Sequence, residues 1–576
     1  MGTSSQGAAR MPPALVGKRF HPGLERIEVV RDLPDYLENL TAKWQFSYEN
    51  QLRIAVLKLH EDHEVAVLWT NRSEDYPLYK MVLQRLHEHN LHLEPSLQIE
   101  TGEAVLAELA RKPEAQADEE NIIRQQAIDL AARALSESAS DIHLEVTSKT
   151  CDVWFRIHGD LFRQPSLSRT NGETMTNVLY WMAEATSRTG SSPDPTNTPQ
   201  DAKIERTIKV GSRLTKTTIR YASIPVEAGW DVTLRLLPES SEGPRSLEQL
   251  GYDEAEIAAI LRMLSKPRGY LGIVGTTGSG KTTSLQSMLT LYHKLNDGRK
   301  KTRTLEDPVE LRIPGARQTS VRRDANGNAD FPTYLKATLR NDPDALMVGE
   351  IRDEETGKVL QQAVQTGHTG FGTLHAGDVF DGIDRLADLG IERSIMASGD
   401  LITGLIYQRL VPVLCPHCKL DINHAMPVLA RDHLERCQRT FGAGITNVRW
   451  RGHDPNCKHC KGRGIVDQTV AAQILYPDRL LASMFGRSDE GAIARAYWRS
   501  GLVRVPDDVQ PTVGRTALDQ AIKKAKWGSV SPLDVEARLG RLDSEASPAE
   551  ERAFLSMRRP DLLLGAQLFE KDSVPA

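Results

Sequence analysis

One short stretch limits what this chain can fold into more than any other feature of its sequence. Residues 275–282 read Gly-Thr-Thr-Gly-Ser-Gly-Lys-Thr, which fits the phosphate-loop pattern G-x-x-x-x-G-K-[ST] at every specified position. The apolar residues 270–274 before it predict a buried strand, and residues 283–292 after it place apolar side chains at helical spacing. Strand, glycine-rich loop and helix are the context that this motif requires. The sequence therefore predicts a site for a nucleoside triphosphate.

The residue types of this loop predict how it holds phosphate. Glycines allow backbone N–H groups to turn toward phosphate oxygens, and the N-terminus of the following helix adds about half a positive charge. We expect Lys281 to reach the β- and γ-phosphates and the Thr282 hydroxyl to hold Mg²⁺, so ATP and Mg²⁺ are the predicted cofactors. The predicted nucleotide-binding residues are Gly275, Thr276, Thr277, Gly278, Ser279, Gly280, Lys281, Thr282 and Thr283.

Two acidic residues follow short apolar segments downstream of the loop. Glu306 ends a predicted strand, and an acid at the carboxyl end of a parallel strand faces the ligand crevice of such a sheet. We predict that Glu306 orients or deprotonates the attacking water, with a solvated turn as the competing interpretation. Glu350 follows the apolar residues 345–348 and is typical of a Walker-B acid directed at Mg²⁺ or its water shell. The reverse assignment of the two acids stays open.

A histidine stands at the end of a third short strand. His375 follows the glycine-rich residues 369–374, where it is placed to sense the γ-phosphate or to couple it to movement. A structural hydrogen bond is the competing interpretation, since a lone histidine serves that purpose more often.

Four of the six cysteines form two C-x-x-C pairs, Cys415 with Cys418 and Cys457 with Cys460. Two such knuckles supply four thiolates to one tetrahedral zinc ion, and four protein ligands leave no open position for chemistry. We therefore predict a structural zinc site, with two unrelated surface thiol pairs as the alternative. Cys437 lies between the pairs and is predicted to be a spectator.

Composition limits the partners of the chain. The formal net charge is −5 and 40% of the residues are hydrophobic, which is ordinary for a soluble protein. No apolar run is long enough to cross a membrane, so we expect a cytoplasmic protein whose membrane contact is peripheral. Near-neutral charge, without a strip of alternating aromatic and basic residues, argues against a nucleic-acid partner.

Shifts in composition predict an α/β protein of several domains. The predicted boundaries are 1–110 for a small α+β N-terminal domain, 111–120 for a linker, 121–237 for a second α+β domain, 238–245 for a second linker, 246–411 for the ATP-binding core, 412–473 for the tetracysteine module, and 474–576 for a helical region with a tail.

Taken together, the motifs resemble those of the ATPases of type II secretion and type IV pilus assembly. The matching segments are 305–310 for the family's Asp box, 339–353 for its Walker B with a preceding arginine, 366–375 for its His box, and 139–145 and 156–159 for its second N-terminal domain. The resemblance covers residues 121–539 approximately, and the order of the motifs makes it specific.

This resemblance implies a RecA-like P-loop core preceded by a PAS-like α+β domain, in a homohexameric ring that hydrolyses ATP to assemble a pilus or a secretion pseudopilus. The catalytic residues that it implies are Lys281, Glu306, Arg340, Glu350 and His375. Candidate inter-subunit arginines are Arg156, Arg220 and Arg235, which would reach a phosphate at the subunit boundary.

The resemblance also implies where the chain works. Residues 1–110 would dock an inner-membrane platform or assembly protein, which places the ATPase peripherally at the inner membrane. The tetracysteine module is similar to that of assembly-type members and favours extension over retraction. Two other functions stay open: a conjugation or traffic ATPase that moves protein or DNA through an envelope channel, and a non-enzymatic zinc scaffold or nucleic-acid adaptor.

Overall fold

The computed structural model describes ten segments of the chain. They are residues 25–27, 38–44, 46–59, 64–101, 103–110, 114–184, 187–190, 192–239, 243–322 and 330–563. Parts of the predicted N-terminal domain, of the linker 238–245 and of the C-terminal tail lie outside these residues. The chain divides into two compact units, Met1–Gln126 and Ala127–Ala576. No helix in the described segments is both long and apolar enough to span a membrane.

The first unit contains a small mixed sheet with helices. Its elements are β1 (Glu25–Ile27), β2 (Glu38–Asn39), α1 (Leu40–Lys43), α2 (Tyr48–Gln51), β3 (Ile54–Lys58), β4 (Glu64–Trp69), α3 (Tyr76–Glu88), β5 (His92–Thr101) and α4 (Glu103–Ala110). The strand order is β1-β5-β4-β3-β2, and β3 and β4 are almost entirely buried because both of their faces are apolar. Trp69 stacks on Tyr79 of α3 with ring centroids 4.4 Å apart.

A long helix, α5 (Glu114–Ser136), contains the division between the two units. Its residues 114–120 fall in the segment predicted to be a linker. The charged, Ala- and Gln-rich composition that indicated a linker also has high helix propensity, so composition alone does not separate the two structures.

The second unit begins with an antiparallel sheet. Its elements are β6 (Ala139–Val146), β7 (Thr150–Ile157), β8 (Asp160–Ser168), α6 (Arg169–Trp181), β9 (Gln200–Val210), β10 (Arg213–Val226) and β11 (Gly229–Pro238). The order β8-β7-β6-β11-β10-β9 puts β6 between β7 and β11. Helix α6 packs closely on this sheet, since a Cβ on Gly172 would lie 2.3 Å from Cys151 Cβ. Cys151 is fully buried there, as a small hydrophobe.

A seven-stranded sheet forms the core of the second unit. Its elements are α7 (Leu247–Leu250), α8 (Glu254–Leu264), β12 (Gly269–Val274), α9 (Lys281–Leu295), β13 (Thr302–Glu306), β14 (Ala316–Ser320), α10 (Phe331–Leu339), β15 (Ala345–Val348), α11 (Glu354–Gln365), β16 (Thr369–Leu374), α12 (Val379–Asp388), α13 (Arg393–Met396), β17 (Ile402–Leu414) and β18 (Ile465–Leu475). The order is β14-β13-β15-β16-β12-β17-β18, and only β18 runs antiparallel to its neighbour.

Both faces of this sheet are covered. On β15, Leu346 and Val348 pack into one hydrophobic cluster while Ala345 and Met347 pack into the other, as the two-residue period of a strand requires. Because the neighbouring strands β12, β13, β15 and β16 are parallel, their carboxyl ends meet at one edge. Any polar group that follows one of these strands is brought to that edge.

The cysteine-bearing segment is an insertion between β17 and β18. It carries α14 (Ile422–Ala425) and α15 (Arg431–Phe441). Both flanking strands belong to the core sheet, so the boundaries predicted for the core and for the module cut through that sheet. The helices that follow are α16 (Arg479–Met484), α17 (Gly491–Arg499), α18 (Ala517–Lys526), α19 (Pro532–Leu539) and α20 (Pro548–Arg558).

Ion pairs fasten the antiparallel sheet to the C-terminal part of the same unit. Asp160, at the turn between β7 and β8, lies 2.6 Å from Arg451 and 2.8 Å from Arg538. Glu137 lies 2.9 Å from Arg463, next to the second cysteine pair. These pairs are partly buried, so they are screened less by salt than fully exposed pairs. The antiparallel sheet is thereby held facing the carboxyl edge of the core sheet.

Candidate active site

A cavity of about 810 Å³ lies between the carboxyl edge of the core sheet and the antiparallel sheet. The phosphate loop lines it from residue 276 to residue 283, and Glu306, Glu350 and His375 line it from the ends of β13, β15 and β16. The residues that the sequence singled out on four separate segments therefore converge on one space. This convergence follows from the parallel strand order, which a local pattern does not reveal.

The loop adopts a backbone that its glycines make possible. Gly278 and Gly280 have φ angles of 75° and 80°, in the left-handed region where other residues are strained. A Cβ on Gly275 would lie 2.6 Å from Ser279 Oγ, so the loop closes tightly only with glycine there. Helix α9 begins directly after Gly280. Its first N–H groups and its dipole favour an anion at the loop.

Lys281 lies folded over the loop. Its Nζ donates hydrogen bonds to the carbonyl oxygens of Gly275, at 2.7 Å, and Thr276, at 3.0 Å. Burial lowers the pKa of Lys281 to about 8, and the charge of Glu350 offsets this only in part. Because an opposite charge favours the protonated amine, phosphate oxygens at the loop would raise this pKa again. The site is therefore electrostatically suited to a polyanion.

Strand β17 supports the loop from its other side. Gln408 is buried, and its Nε2 donates to the carbonyl oxygen of Ser279 at 2.7 Å while its Oε1 accepts from the Tyr252 hydroxyl at 2.7 Å. Arg409 donates to the Thr276 hydroxyl. The sequence did not indicate either β17 residue, because they belong to no phosphate-loop motif and reach the loop only through strand pairing.

Glu306 is a buried acid at the end of β13, with 4% of its surface exposed. Its Oε1 accepts hydrogen bonds from Thr304 Oγ1 at 2.7 Å and from Gln318 Nε2 at 3.0 Å. Burial raises the pKa of Glu306 above its usual value, although both hydrogen bonds act to lower it. A carboxylate with a raised pKa, held in one orientation inside a cavity, suits a general base.

Glu350 has a different environment. Its carboxylate lies 2.7 Å from Arg352 and 3.3 Å from His375 Nε2. Burial lowers the pKa of His375, and the nearby Lys281 lowers it further. The interaction of Lys281 with both Glu350 and His375 places these side chains on the lysine side of the cavity. An acid close to the phosphate-loop lysine is suited to the metal that accompanies a bound triphosphate.

The other predicted arginines are distributed differently. Arg156 and Arg235, which were predicted to reach a phosphate at a subunit boundary, line the cavity of their own chain. Arg220 instead pairs with Glu310 at 2.9 Å. Arg340, which was predicted to be catalytic, follows the last residue of α10 and is exposed. It is absent from the described residues that line the cavity.

The two cysteine pairs form one cluster. Their four Sγ atoms lie within 4.8 Å of one another. Cys415 Sγ lies 3.8 Å from Cys457 Sγ, and Cys418 Sγ lies 3.5 Å from Cys460 Sγ. A tetrahedral ion with bonds of about 2.3 Å holds its sulfurs about 3.8 Å apart, so the cluster fits zinc. The Gly464 N–H also donates to Cys460 Sγ at 3.2 Å, a contact of the kind that orients a metal ligand.

The acid limb of the pH–rate profile tests the environment of Glu306. A base with a raised pKa is protonated, and therefore inactive, at a higher pH than an exposed carboxylate, so turnover should fall as the pH drops through that value. Replacing Thr304 by valine removes a hydrogen bond that stabilises the ionised form. We expect Thr304→Val to move the acid limb of kcat to higher pH. Thr174→Val is the control: Thr174 is half-buried on α6, its hydroxyl bonds only to the carbonyl oxygen of Thr170, and the variant should not move the limb. An unmoved limb in Thr304→Val would contradict the assignment.

Comparison with known proteins agrees with this geometry. Residues 115–519 match the protein family described as "Type II/IV secretion system protein". The chain is similar to "Type II secretion system protein E" of Pseudomonas aeruginosa, with 39% identity over 50% of this chain and 54% of that protein. It is similar to "Type II secretion system ATPase E" of Vibrio cholerae, with 34% identity over 69% of this chain and 74% of that protein.

A pilus protein is also among the relatives. "Type IV pilus assembly ATPase PilB" of Thermus thermophilus is 32% identical over 66% of this chain and 41% of that protein. The chain thus spans about half the length of the Pseudomonas relative and less than half of the Thermus one.

Proposed function

This chain belongs to the Type II/IV secretion system protein family, and we propose that it is the motor that powers assembly of a type IV pilus or a type II secretion pseudopilus. The family predicted from the motifs is confirmed, and so is the enzyme class, an ATPase. The remaining statements about substrate, assembly and partners are our proposal.

The observation that carries the proposal is the cavity. It brings the phosphate-loop lysine Lys281, the buried acid Glu306 and the ion-paired acid Glu350 together around one space of about 810 Å³. Binding of a nucleotide would require the phosphate loop alone. The acids at two strand ends add a candidate base and a candidate metal ligand, which hydrolysis requires. A buried acid on the wall of the same cavity as the phosphate loop favours hydrolysis over a scaffold that only binds the nucleotide.

In the proposed mechanism, each residue has one task. The N–H groups of the phosphate loop and Lys281 hold the β- and γ-phosphates, and Glu306 accepts a proton from the attacking water. Thr282 and Glu350 would hold Mg²⁺, which supplies positive charge to the phosphate oxygens. His375 Nε2 lies 3.3 Å from the Glu350 carboxylate, so a metal bound by Glu350 would change the contact between these two side chains. Arg156 and Arg235 face the phosphates from the antiparallel sheet.

The finer features of the proposal follow from family membership. We infer a RecA-like core, a PAS-like antiparallel domain, a structural zinc ion at the four cysteines, and a homohexameric ring. Residues 1–110 are proposed to dock an inner-membrane platform protein, which would hold the ATPase peripherally on the cytoplasmic side of that membrane. The tetracysteine cluster resembles the module of assembly-type members, which is why we propose assembly and not retraction.

Complementation in the organism of origin tests this function. A strain that lacks the gene should regain its pilus or pseudopilus with the natural sequence and not with Lys281→Ala, because the variant loses the cation that holds the phosphates. Size measurement of the purified chain with and without ATP should show a hexamer. Full assembly with Lys281→Ala, or restoration of DNA transfer alone, would contradict the proposal.

A further inference from the structure

Asp141 lies between the two arginines that face the phosphate loop. Strand β6 pairs with β7 on one side and with β11 on the other, and the register sets Asp141 opposite Arg156 and opposite Arg235. All three side chains line the cavity. The arrangement is thus a cross-strand row of cation, anion and cation on the wall opposite the phosphate loop.

The contacts of Asp141 show what it holds. Its Oδ1 accepts a hydrogen bond from Arg235 Nε at 2.9 Å, and its Oδ2 lies 4.0 Å from Arg156 Nε. The Ser140 hydroxyl donates to Oδ2 at 2.8 Å. The Asp141 side chain is only 6% exposed, whereas those of Arg156 and Arg235 are 37% and 49% exposed. A buried anion therefore holds the Arg235 guanidinium by a hydrogen bond and lies close to that of Arg156.

The hydrogen bond to Asp141 leaves the terminal amino groups of Arg235 available for phosphate. Asp141 engages Arg235 through Nε, and the terminal amino groups on the same planar fork are the ones that bind phosphate oxygens in pairs. Arg156 is fixed separately, because its Nη1 donates to the carbonyl oxygen of Gly159 at 3.1 Å. Two arginines and Lys281 on one cavity would otherwise repel each other, and the Asp141 charge offsets part of that repulsion.

We propose that Asp141 is a positioning residue that fixes Arg235 in the orientation in which it contacts the bound triphosphate. The inference rests on the proposed ATP hydrolysis at this site. It assigns to the antiparallel sheet a built anchor for Arg235, which is then not an independent surface arginine. Misplacing a phosphate-contacting group by about 1 Å costs about 10²-fold in rate, so the anchor should be visible in turnover.

A double-mutant cycle on the full chain tests the inference. Asp141→Asn keeps the shape and removes the charge; we expect kcat to fall about 10- to 100-fold, with KM for ATP changed much less. If Asp141 acts through Arg235, then adding Asp141→Asn to Arg235→Ala should cost less than about threefold more, because the group that it positions is already gone. Asp141→Ala should be at least as impaired as Asp141→Asn. Unchanged kcat, or costs that multiply in the double variant, would overturn the inference.

Two further variants keep the test decisive. Asp152→Asn breaks a similar cross-strand pair, Asp152 with Arg163 at 3.1 Å, on an exposed part of the same sheet, and should leave kcat unchanged. Arg235→Lys keeps the charge but lacks the Nε–H group that donates to Asp141, so we expect it to lose about tenfold in kcat. This variant provides the test if Asp141→Asn does not fold. An Arg235→Lys variant with natural kcat would also overturn the inference.

The test separates this inference from the proposed function. If Lys281→Ala retains ATP turnover, the proposed function fails and the role of Asp141 fails with it. If Lys281→Ala is inactive while Asp141→Asn turns over like the natural chain, only the positioning role fails.

Discussion

Replacing Glu306 by glutamine is expected to lower ATP turnover by about 10²- to 10⁴-fold, the range typical of a lost general base. Glutamine keeps the size of the side chain and can still bond to Thr304 and Gln318, but it cannot accept the proton from the attacking water. Affinity for ATP should stay within a few-fold, because the phosphate loop is unchanged. Steady-state phosphate release and equilibrium nucleotide binding, measured on the same preparation, check both expectations.

Two comparison variants make this result specific. Glu355→Gln breaks an exposed ion pair with Lys336 on the surface of α11 and should leave turnover unchanged. Glu350→Gln should also impair turnover, but by raising the Mg²⁺ concentration needed for half-maximal rate, whereas Glu306→Gln should leave that concentration unaltered. If the Mg²⁺ dependence shifts in Glu306→Gln and not in Glu350→Gln, the two acids have the opposite roles.

Replacing Cys415 by serine should abolish zinc binding and destabilise the segment between β17 and β18. Cys415 is fully buried within the cysteine cluster, so the change removes one of four thiolates and leaves a polar hydroxyl in its place. Loss of a structural metal ranks among the largest single-residue effects, and a loss of roughly 3–5 kcal/mol or more in unfolding free energy is expected. Zinc content per chain and the midpoint of thermal unfolding are the measurements.

Cys437 offers a matched control for this prediction. It is as fully buried as Cys415 but lies in a separate hydrophobic cluster, where its sulfur is 3.4 Å from His433 Nε2. Cys437→Ala should lose some packing free energy and still bind one zinc ion per chain. A natural chain purified without metal, or a Cys415→Ser variant that retains zinc, would refute the assignment.

The parts of the site that sequence predicted are those set by local backbone requirements. The phosphate loop needs glycines at fixed places, as the positive φ angles of Gly278 and Gly280 show. Glu306, Glu350 and His375 each follow an apolar strand, and parallel strands bring such residues to one edge without further information. The four cysteines were predicted from spacing alone, since each knuckle is a local turn.

What sequence did not reveal depends on pairing between distant strands. The position of Asp141 between Arg156 and Arg235 follows from the register of β6 with β7 and β11, which alternating hydrophobicity does not specify. Gln408 reaches Ser279 only because β17 lies beside β12. The seventh strand of the core, β18, was likewise not predicted, since the insertion separates it from its partner along the chain.

The central claim is that ATP held by the phosphate loop is cleaved inside this cavity by residues at the strand ends. Single-turnover cleavage of bound ATP, with enzyme in excess and the reaction quenched at set times, tests it most directly. We expect the natural chain to convert bound ATP to ADP and phosphate, and Glu306→Gln to hold ATP intact over the same period. Cleavage by Glu306→Gln at close to the natural rate would contradict it.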